Sequence, residues 1–536
     1  MSAEPAIDRP GSFGSGPPAG PSLDPAAVRR LVAGIVSAPG AERVVARTPL
    51  TGEHLADLPL SSVSDVEKAV ARARAAQEVW AQRSVRHRAA VLLRVHDLVL
   101  ERQSAALDLI QLESGKARLH AFEEVADVAM NARWYARRGP RILADERRPG
   151  IVPVLTEVTQ VHHPKGVVGI ISPWNYPLTL AISDALPALL AGNAVVIKPD
   201  RSTVLTALWA AELLADAGLP DGLFQVVHGA GALLGTALIN RCDHICFTGS
   251  TATGRLVAEQ AGRRLIGVSL ELGGKNSLYV AEDADLDRAA EAAVRDCYSS
   301  AGQLCVSIER LVVHERVADA FLDRFVDRVR RLRLGAGLDF SADFGSLISA
   351  DQLRQVSTHV DDAVANGATV LAGGRARPDI GPLFYEPTVL AGVTPAAACY
   401  QEETFGPVVA VYRVGSDGAA LTLANTGEYG LNASVWTRDL ARGRRLARQV
   451  RAGTVAVNEA FIATWGSVAA PMGGHRDSGL GRRHGGEGLL RFTESQSIAV
   501  QRLVGFGPLY GAGGERMATA YTRALQLARR ARLPWP

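Results

Sequence analysis

Short aliphatic runs that alternate with alanine-rich helical stretches constrain the fold of this chain more than any other feature. After Pro164 such runs occur at 167–171, 194–197, 224–227 and 244–247, and each is followed by a polar turn or a glycine. Continuous aliphatic runs are typical of strands buried on both faces, and the helical stretches between them are typical of crossover connections. The pattern therefore predicts βα units and a largely parallel, doubly wound α/β sheet.

A second α/β region is predicted after Glu271, with strand candidates at 311–313, 408–412 and 454–457. Apolar positions at helical spacing over 63–99 predict a helix-rich segment ahead of the first sheet. With 536 residues the chain is too long for one hydrophobic core, so we expect two or three domains.

The charge balance and the cysteines restrict the class of function. The 58 basic and 55 acidic residues give a net charge of +3, too balanced for a protein whose main partner is nucleic acid, so a small-molecule substrate fits better. The five cysteines form no CxxC pair and no zinc-like cluster with histidine, so no metal site is predicted. Their odd number, without a signal peptide, predicts a reducing, cytoplasmic location. No apolar run reaches the roughly 18 residues of a membrane span.

Two glycine-flanked runs, Glu-Leu-Gly-Gly-Lys at 271–275 and Gly-Gln-Leu-Cys at 302–305, carry residues suited to covalent catalysis. A Cys305 thiolate can attack a carbonyl carbon, and a Glu271 carboxylate can later take a proton from water. Alone, each has a plainer interpretation, as a surface charge or as a small buried apolar residue. The adjacent glycines favour catalysis because they let a ligand approach closely. Cys297 is a rival nucleophile that lacks this setting.

The segment 247–254, Phe-Thr-Gly-Ser-Thr-Ala-Thr-Gly, follows a predicted strand and opens a predicted helix. Gly249 and Gly254 would allow a tight turn whose N–H groups attract a pyrophosphate. Only two of the three glycines of the dinucleotide fingerprint are present, so a βα turn without a ligand is the alternative. Lys198 favours the cofactor interpretation, because the end of a neighbouring strand is well placed for the adenosine ribose.

Two proline-bounded loops add candidate residues. Asn175, in Pro-Trp-Asn-Tyr-Pro at 173–177, is either a turn residue or an amide donor to a developing oxyanion. The loop Glu-Glu-Thr-Phe-Gly-Pro at 402–407 is either a charged surface loop or a cofactor contact. In the second case one carboxylate would bind ribose hydroxyls and Phe405 would pack against a flat ring.

These runs resemble, in their order and approximate spacing, the motifs of the aldehyde dehydrogenase superfamily. The resemblance covers about residues 45–500 and includes Met-Gly-Gly-His-Arg-Asp-Ser-Gly at 472–479. Within the superfamily the chain is most similar to the actinobacterial-type succinate-semialdehyde dehydrogenases, through 198–200, 302–307 and 477–483. The resemblance implies an aldehyde dehydrogenase-like α/β fold, with a Rossmann-type cofactor domain, an α/β catalytic domain and an oligomerisation hairpin.

Composition, pattern and the resemblance together divide the chain. We expect a disordered leader (1–24), an NAD(P)-binding domain (25–145 and 165–273), a catalytic domain (274–488), oligomerisation strands (146–164 and 489–502) and a C-terminal helical tail (503–536). The tail ends in a basic cluster, and its alanine-diluted apolar stripe favours a packed helix over a membrane anchor. Alternation over 497–501 predicts an edge strand, which invites pairing with a second copy in a homodimer or homotetramer.

Roles for single residues follow from the resemblance. Cys305 would be the nucleophile, Asn175 and the Cys305 N–H would hold the oxyanion, and Glu271 would activate water. The cofactor would be bound by Trp174, Lys198, Arg201, Gly249, Ser250, Glu403 and Phe405. The aldehyde pocket would be lined by Tyr176, Ser183, Ser299, Leu304, Val306 and Phe461. We expect the site to lower the pKa of Cys305, or to deprotonate it when the cofactor binds.

The chain departs from the family pattern at positions that bear on cofactor and substrate. Family members that prefer NAD often carry a glutamate where this chain has Arg201, and a guanidinium can pair with a 2′-phosphate. NADP is therefore predicted over NAD, with dual use left open by the neighbouring Asp200. The better-studied succinate-semialdehyde enzymes carry carboxylate-binding arginines where this chain has Ser183 and Ser299. Either another arginine supplies the charge or the substrate is an uncharged aldehyde.

The predicted function is NAD(P)-dependent oxidation of an aldehyde to a free carboxylic acid. Succinic semialdehyde is the first candidate substrate, and uncharged aliphatic or aromatic aldehydes are the alternative. Transfer of the acyl group to coenzyme A is disfavoured, because enzymes of that type generally lack the glutamate present here as Glu271. A catalytically silent NAD(P)-binding protein is disfavoured because Cys305, Glu271 and Asn175 are all present.

Overall fold

The computed structural model describes residues 23–151, 156–459, 461, 467–502 and 513–532. Its helices are α1 (Pro25–Val32), α2 (Val63–Ala81), α3 (Val85–Glu101), α4 (Gln103–Ser114), α5 (Arg118–Ile142), α6 (Pro177–Ile182), α7 (Ala185–Ala191), α8 (Val204–Asp216), α9 (Gly231–Ile239), α10 (Thr251–Arg263), α11 (Leu286–Tyr298), α12 (Ala318–Arg330), α13 (Ala350–Ala365), α14 (Asp417–Ala424), α15 (Leu440–Ala447), α16 (Gly485–Leu490) and α17 (Gly514–Arg530). Its strands are β1 (Arg43–Arg47), β2 (His54–Pro59), β3 (Glu146–Arg148), β4 (Thr156–Pro164), β5 (Val167–Ile171), β6 (Ala194–Lys198), β7 (Phe224–Val226), β8 (His244–Thr248), β9 (Gly267–Glu271), β10 (Asn276–Val280), β11 (Ile308–His314), β12 (Thr369–Ala372), β13 (Thr388–Ala391), β14 (Val408–Val414), β15 (Asn432–Trp436), β16 (Thr454–Val457), β17 (Gly479–Leu480) and β18 (Thr493–Gln501).

The first large sheet has six strands in the order β17-β9-β8-β5-β6-β7. Its neighbours from β5 to β9 pair in parallel, and the short β17 is antiparallel to β9. The predicted aliphatic runs supply β5, β6, β7 and β8, and helices α2, α7, α8 and α9 pack against this sheet. Strands covered by helices need apolar residues on both faces, which explains the continuous runs. The predicted parallel, doubly wound α/β class is confirmed.

The second large sheet has seven strands in the order β12-β13-β14-β11-β10-β15-β16. All of its pairs are parallel except the edge pair β12 and β13. The predicted strands at 311–313, 408–412 and 454–457 lie in β11, β14 and β16. This sheet surrounds a hydrophobic core separate from that of the first sheet. Two cores are what a chain of this length requires.

A third sheet has three strands, in the order β18-β4-β3. β18 is antiparallel to β4 over its whole length, from Thr493 opposite Pro164 to Gln501 opposite Thr156. β18 is an edge strand with Ile498 and Val500 exposed, and residues 152–155 lie outside the described part of the chain. The domain boundaries and the oligomerisation role of this sheet stay predictions.

The predicted helix-rich segment over 63–99 is present as two helices, α2 and α3. The chain is divided there because Ser84 begins α3 by accepting a hydrogen bond from the His87 N–H at 3.2 Å.

The tail helix α17 is predicted to be packed, but of its residues only Ala528 is buried, and Leu525 and Leu527 are 48% and 65% exposed. That expectation is wrong, since the apolar stripe of α17 is largely uncovered by the described residues. Of the predicted leader, 1–22 lie outside the described residues.

The connection between the two large sheets determines where the site lies. β9 ends at Glu271 and β10 begins at Asn276, so the run 272–275 crosses from one sheet to the other. β11, which is parallel to β10, begins three residues after Cys305. The carboxyl edge of the first sheet is therefore brought next to the amino edge of the second, and ligands of open α/β sheets bind at such edges.

Candidate active site

The loop that carries Cys305 has an unusual backbone. Ser300, Ala301 and Gly302 have φ values of 51°, 57° and 69°, a left-handed run that side-chain-bearing residues seldom adopt. A Cβ atom at Gly302 would clash with the carbonyl oxygen of Gly406, so glycine is required there. The run turns the chain between α11 and β11 sharply enough to place Cys305 at the junction of the two sheets.

Asn276 fixes this loop from the first residue of β10. Its Nδ2 donates to the carbonyl oxygens of Cys305 at 2.7 Å and Ser307 at 2.8 Å. Asn432 reinforces it, donating from Nδ2 to the carbonyl oxygen of Val306 at 3.0 Å. The sequence analysis did not identify Asn276, although its place just after the Gly-Gly-Lys run was a usable signal.

Cys305 is half-buried, whereas the other four cysteines, including Cys297, are buried. Burial raises the pKa of the Cys305 thiol to about 12, helped by the nearby Glu403 and Glu271 carboxylates and opposed by Arg483. The pKa of Cys297 is raised well above its ordinary value by complete burial. The expectation of a lowered Cys305 pKa is therefore not met in the protein without a cofactor. The second expectation, deprotonation on cofactor binding, stays a prediction.

Asn175 reaches the same loop from the segment between β5 and α6. Its Nδ2 donates to the carbonyl oxygen of Gln303 at 3.0 Å, and the residue is 6% exposed. A primary amide has two N–H groups, so one remains for an oxyanion bound at Cys305. Gln303 is held in turn, since its Oε1 accepts from the Ile348 N–H at 3.0 Å.

Glu271 ends β9 with its carboxylate buried. Within the described part of the chain, neither carboxylate oxygen has a hydrogen-bond partner. Burial raises the pKa of Glu271 to about 7, and Arg483 is the strongest of the charges that oppose this rise. A carboxylate with this pKa is close to half ionised at neutral pH, which suits a general base. Gly473 lies against it, since a Cβ there would be 3.1 Å from Glu271 Oε1.

Lys198 ends β6 and is 5% exposed. Two other buried lysines form ion pairs, Lys116 with Glu124 and Lys275 with Glu309, but no ion pair joins Lys198 to any described residue. Burial lowers the pKa of Lys198. Burying a cation without an ion pair costs free energy, unless a bound ligand supplies groups that interact with the charge. Arg201 follows within three residues and is exposed.

The turn between β8 and α10 contains Gly249 and Ser250. Ser250 is the N-cap of α10, and its Oγ accepts from the Thr253 N–H at 3.4 Å. The Gly249 N–H donates to the carbonyl oxygen of Glu271 at 3.1 Å, which ties the turn to the end of β9. The first N–H groups of a helix attract anions. Together with the unpaired Lys198, this helix start fits a nucleotide cofactor.

Glu403, Phe405 and Trp174 lie together on the other side of the loop. Glu403 Oε1 accepts from the Gly274 N–H at 2.9 Å, and burial, then the nearby Glu309, raises its pKa to about 8. Phe405 has a φ of 51° and meets the Trp174 ring edge-on, with centroids 5.5 Å apart. Glu309 supports this strained turn by accepting from the Phe405 N–H at 2.9 Å and pairing with Lys275.

A small apolar cluster surrounds the thiol. Four of its members are predicted pocket residues: Tyr176, Leu304, Val306 and Phe461. The other two, Leu431 and Met472, were not predicted from the sequence. Cys305 and Leu180 pack against it. Such a lining suits the hydrocarbon part of an aldehyde. Residues 460 and 462–466, beside Phe461, lie outside the described part of the chain.

This geometry can be set beside known proteins. The sequence profile of the aldehyde dehydrogenase family matches residues 35–498. The chain belongs to the aldehyde dehydrogenase family. It is therefore an oxidoreductase that uses NAD(P), and the predicted family, fold and reaction class are confirmed.

Three proteins that are similar to this aldehyde dehydrogenase bear on its substrate and cofactor. A protein of Mycolicibacterium smegmatis, provisionally named a succinate-semialdehyde dehydrogenase (NADP+), is 54% identical over 479 residues, which cover 89% of this chain and 93% of the relative. The crystal structure of succinate-semialdehyde dehydrogenase from Burkholderia pseudomallei has a TM-score of 0.84 at 35% identity, covering 90% of this chain and 100% of its own. The crystal structure of an NADP-dependent enzyme of E. coli has a TM-score of 0.83 at 34% identity, covering 86% of this chain and 95% of its own.

The two serines that replace the expected arginines of this dehydrogenase differ in their surroundings. Ser183 Oγ donates to Asp127 Oδ2 at 2.9 Å and is therefore already engaged with a carboxylate. Ser299 Oγ is buried and has no hydrogen-bond partner among the described residues. Among the described residues no cation is hydrogen-bonded to either serine.

No cluster of three or more histidine, cysteine, aspartate or glutamate side chains among the described residues has the arrangement of a metal site. No helix in the described ranges is long and apolar enough to cross a membrane.

Proposed function

We propose that this aldehyde dehydrogenase oxidises succinic semialdehyde to succinate with NADP+, through a thioester on Cys305. The observation that carries the proposal is the convergence of Cys305, Asn175 and Glu271 at the junction of the two sheets. The names of the relatives support the choice of substrate and cofactor.

Cys305, Asn175 and Glu271 divide the chemical steps of this scheme between them. The Cys305 thiolate attacks the carbonyl carbon, and the Asn175 amide and the Cys305 N–H stabilise the oxyanion that forms. NADP+, when bound, accepts the hydride. Glu271 then takes a proton from water, whose oxygen attacks the thioester carbon; the C–S bond breaks, the acid leaves and the thiolate is restored.

The residues around Lys198 fit NADP as the cofactor. Lys198, Ser250 and the start of α10 would hold the adenosine ribose and the pyrophosphate, and the exposed Arg201 would pair with the 2′-phosphate. Glu403 would hold the nicotinamide ribose after releasing the Gly274 N–H. Trp174 and Phe405 would limit the movement of the ring.

Arg201→Glu tests the choice of cofactor. We expect the KM for NADP to rise by roughly 10–100-fold, because a charge-assisted contact is lost, with little change in the KM for NAD. Steady-state kinetics with both cofactors measures this. Arg86→Glu, an exposed site with the same charge change, is the matched control. An equal rise for both cofactors would show that Arg201 does not recognise the 2′-phosphate.

An uncharged aldehyde is the second candidate substrate, because Ser183 is bound to Asp127 and no cation of the described residues hydrogen-bonds to either serine. Comparing succinic semialdehyde with butanal and benzaldehyde separates the two. We expect kcat/KM for succinic semialdehyde to exceed that for butanal by roughly tenfold or more, because only the first carries a carboxylate for the pocket to bind. Equal or better use of butanal would favour the uncharged class.

We also propose that the protein is cytoplasmic and forms a homodimer or homotetramer. All five cysteines are free, as expected of a reducing compartment. The exposed edge of β18 offers backbone groups for pairing with a second copy. Light scattering of the purified protein measures the oligomeric state.

A further inference from the structure

A buried group of charges lies beneath Glu271, and the sequence motifs did not reveal it. Asp184, between α6 and α7, accepts from Arg483 Nη2 at 2.8 Å and from Arg491 Nη2 at 2.5 Å. We call these three residues the Asp184 cluster. All three are buried or nearly so, with side chains at most 11% exposed.

The Asp184 cluster carries an excess positive charge. It contains two guanidinium groups, which stay protonated in proteins, and one carboxylate whose pKa is held at about 2 by Arg483 and Arg491 in spite of burial. The histidines beside it do not add charge near neutral pH, because burial lowers the pKa of His244 to about 3 and that of His484 to about 4. Tyr135 stays neutral because burial raises its pKa.

Arg483 is the member that reaches towards the catalytic residues. Its Nη2 also donates to Thr248 Oγ1 at 2.6 Å, and Thr248 ends β8 directly opposite Glu271 in β9. The Arg483 backbone forms a two-way bridge with Met472, which lies in the apolar cluster around Cys305. The guanidinium is thus fixed at the end of the strand next to Glu271.

Glu271 is the complementary partner for this charge. Among the described residues its two oxygens have no hydrogen bond, so no local donor stabilises the ionised form. A buried carboxylate in this position would be protonated at neutral pH unless a nearby cation favoured ionisation.

We propose that Arg483 is a positioning residue whose fixed charge favours the carboxylate form of Glu271 for thioester hydrolysis, with Asp184 and Thr248 holding the guanidinium in place. The inference rests on the proposed function, since it concerns the step that Glu271 serves there. Arg483 would then help to set the pH range in which Glu271 can act as the base.

The other charged or titratable groups around Glu271 act in known directions. Arg491 and Arg482 favour its ionised form and Asp184 disfavours it. Cys246, in β8, is a neutral thiol because burial raises its pKa to about 12, and Cys305 is a neutral thiol for the same reason until the cofactor binds. Arg483 also attracts the Asp127 carboxylate, although burial raises the pKa of Asp127 to about 6. Arg483 is the largest favourable influence on Glu271 in this set.

Arg483→Gln, compared with Arg483→Lys, tests the proposal. We would record the NADPH burst and the slower rate that follows it between pH 5.5 and pH 9. In the parent protein the slow rate should rise with a midpoint near the Glu271 pKa of about 7. In Arg483→Gln the midpoint should move up by about one pH unit or more, because the charge that favours the carboxylate is gone. Arg483→Lys keeps the charge and should keep the midpoint.

Asp184→Asn should move the midpoint of the pH profile in the opposite direction. It leaves both guanidiniums and removes the carboxylate, so the midpoint should move down rather than up. A purely structural role for the cluster would lower rates in both variants without moving the midpoints in opposite directions. Thermal unfolding of each variant identifies any that fail to fold, and Arg483→Lys then remains the comparison with the parent.

The outcomes separate this inference from the proposed function. A burst in the parent protein with an unmoved midpoint in Arg483→Gln overturns the inference alone. Absence of any NADH or NADPH formation by the parent with any aldehyde and either cofactor overturns the proposed function, and the inference with it.

Discussion

Replacing Cys305 with alanine should abolish aldehyde oxidation, with a loss of at least about 10⁴-fold in kcat. The thiol is the atom that forms the covalent adduct, and the described residues near it offer no second nucleophile with comparable access. Cys297 is buried, and its pKa is raised far above neutrality. NADPH absorbance on adding aldehyde measures the loss.

Cys297→Ala is the matched control for this prediction. The variant removes a thiol of the same kind from a buried site below the loop, and turnover should stay within a few-fold of the parent. Mass spectrometry after brief treatment with an aldehyde analogue should place the adduct on Cys305. Residual turnover in Cys305→Ala, or loss of turnover in Cys297→Ala with the fold intact, would reassign the nucleophile.

Much of the fold could be predicted because its signals are local. The runs that became β5 and β6 are aliphatic along nearly their whole length, since these strands are buried beneath helices. The split between α2 and α3 depends on Ser84, whose capping role is also local. The packing of α17 was predicted incorrectly, because whether an apolar stripe is covered depends on residues remote in sequence.

The same distinction applies to the candidate site. Cys305, Glu271 and Asn175 sit in glycine- or proline-bounded runs, so the motifs alone brought them to attention. Asn276 and the Asp184 cluster escaped, because their significance lies in contacts such as that between Asp184 and Arg483, which are 299 residues apart. The raised pKa of Cys305 was missed for a related reason, since it reflects burial beside Glu403 and Glu271 rather than any feature of the Gly-Gln-Leu-Cys run.

Glu271→Gln should separate the two halves of the reaction. The hydride burst should persist, because Glu271 acts only after the thioester has formed, whereas the steady-state rate should fall by roughly 10²–10⁴-fold. The substitution breaks no hydrogen bond among the described residues, since neither Glu271 oxygen has a partner there. Stopped-flow recording of NADPH gives the burst and the steady rate in one experiment.

The steady rate and the burst should also differ from the parent in their pH dependence. In the parent protein Glu271 has a raised pKa of about 7, so the carboxylate form and the steady rate should increase as the pH rises through that value. Glutamine does not titrate, so the steady rate of the variant should lose this rise. The Glu271 carboxylate also raises the pKa of Cys305, after burial and Glu403, so its removal should let the burst begin at a lower pH than in the parent. A normal steady rate in Glu271→Gln would remove Glu271 from the role of base, whereas loss of the burst would place its action before hydride transfer.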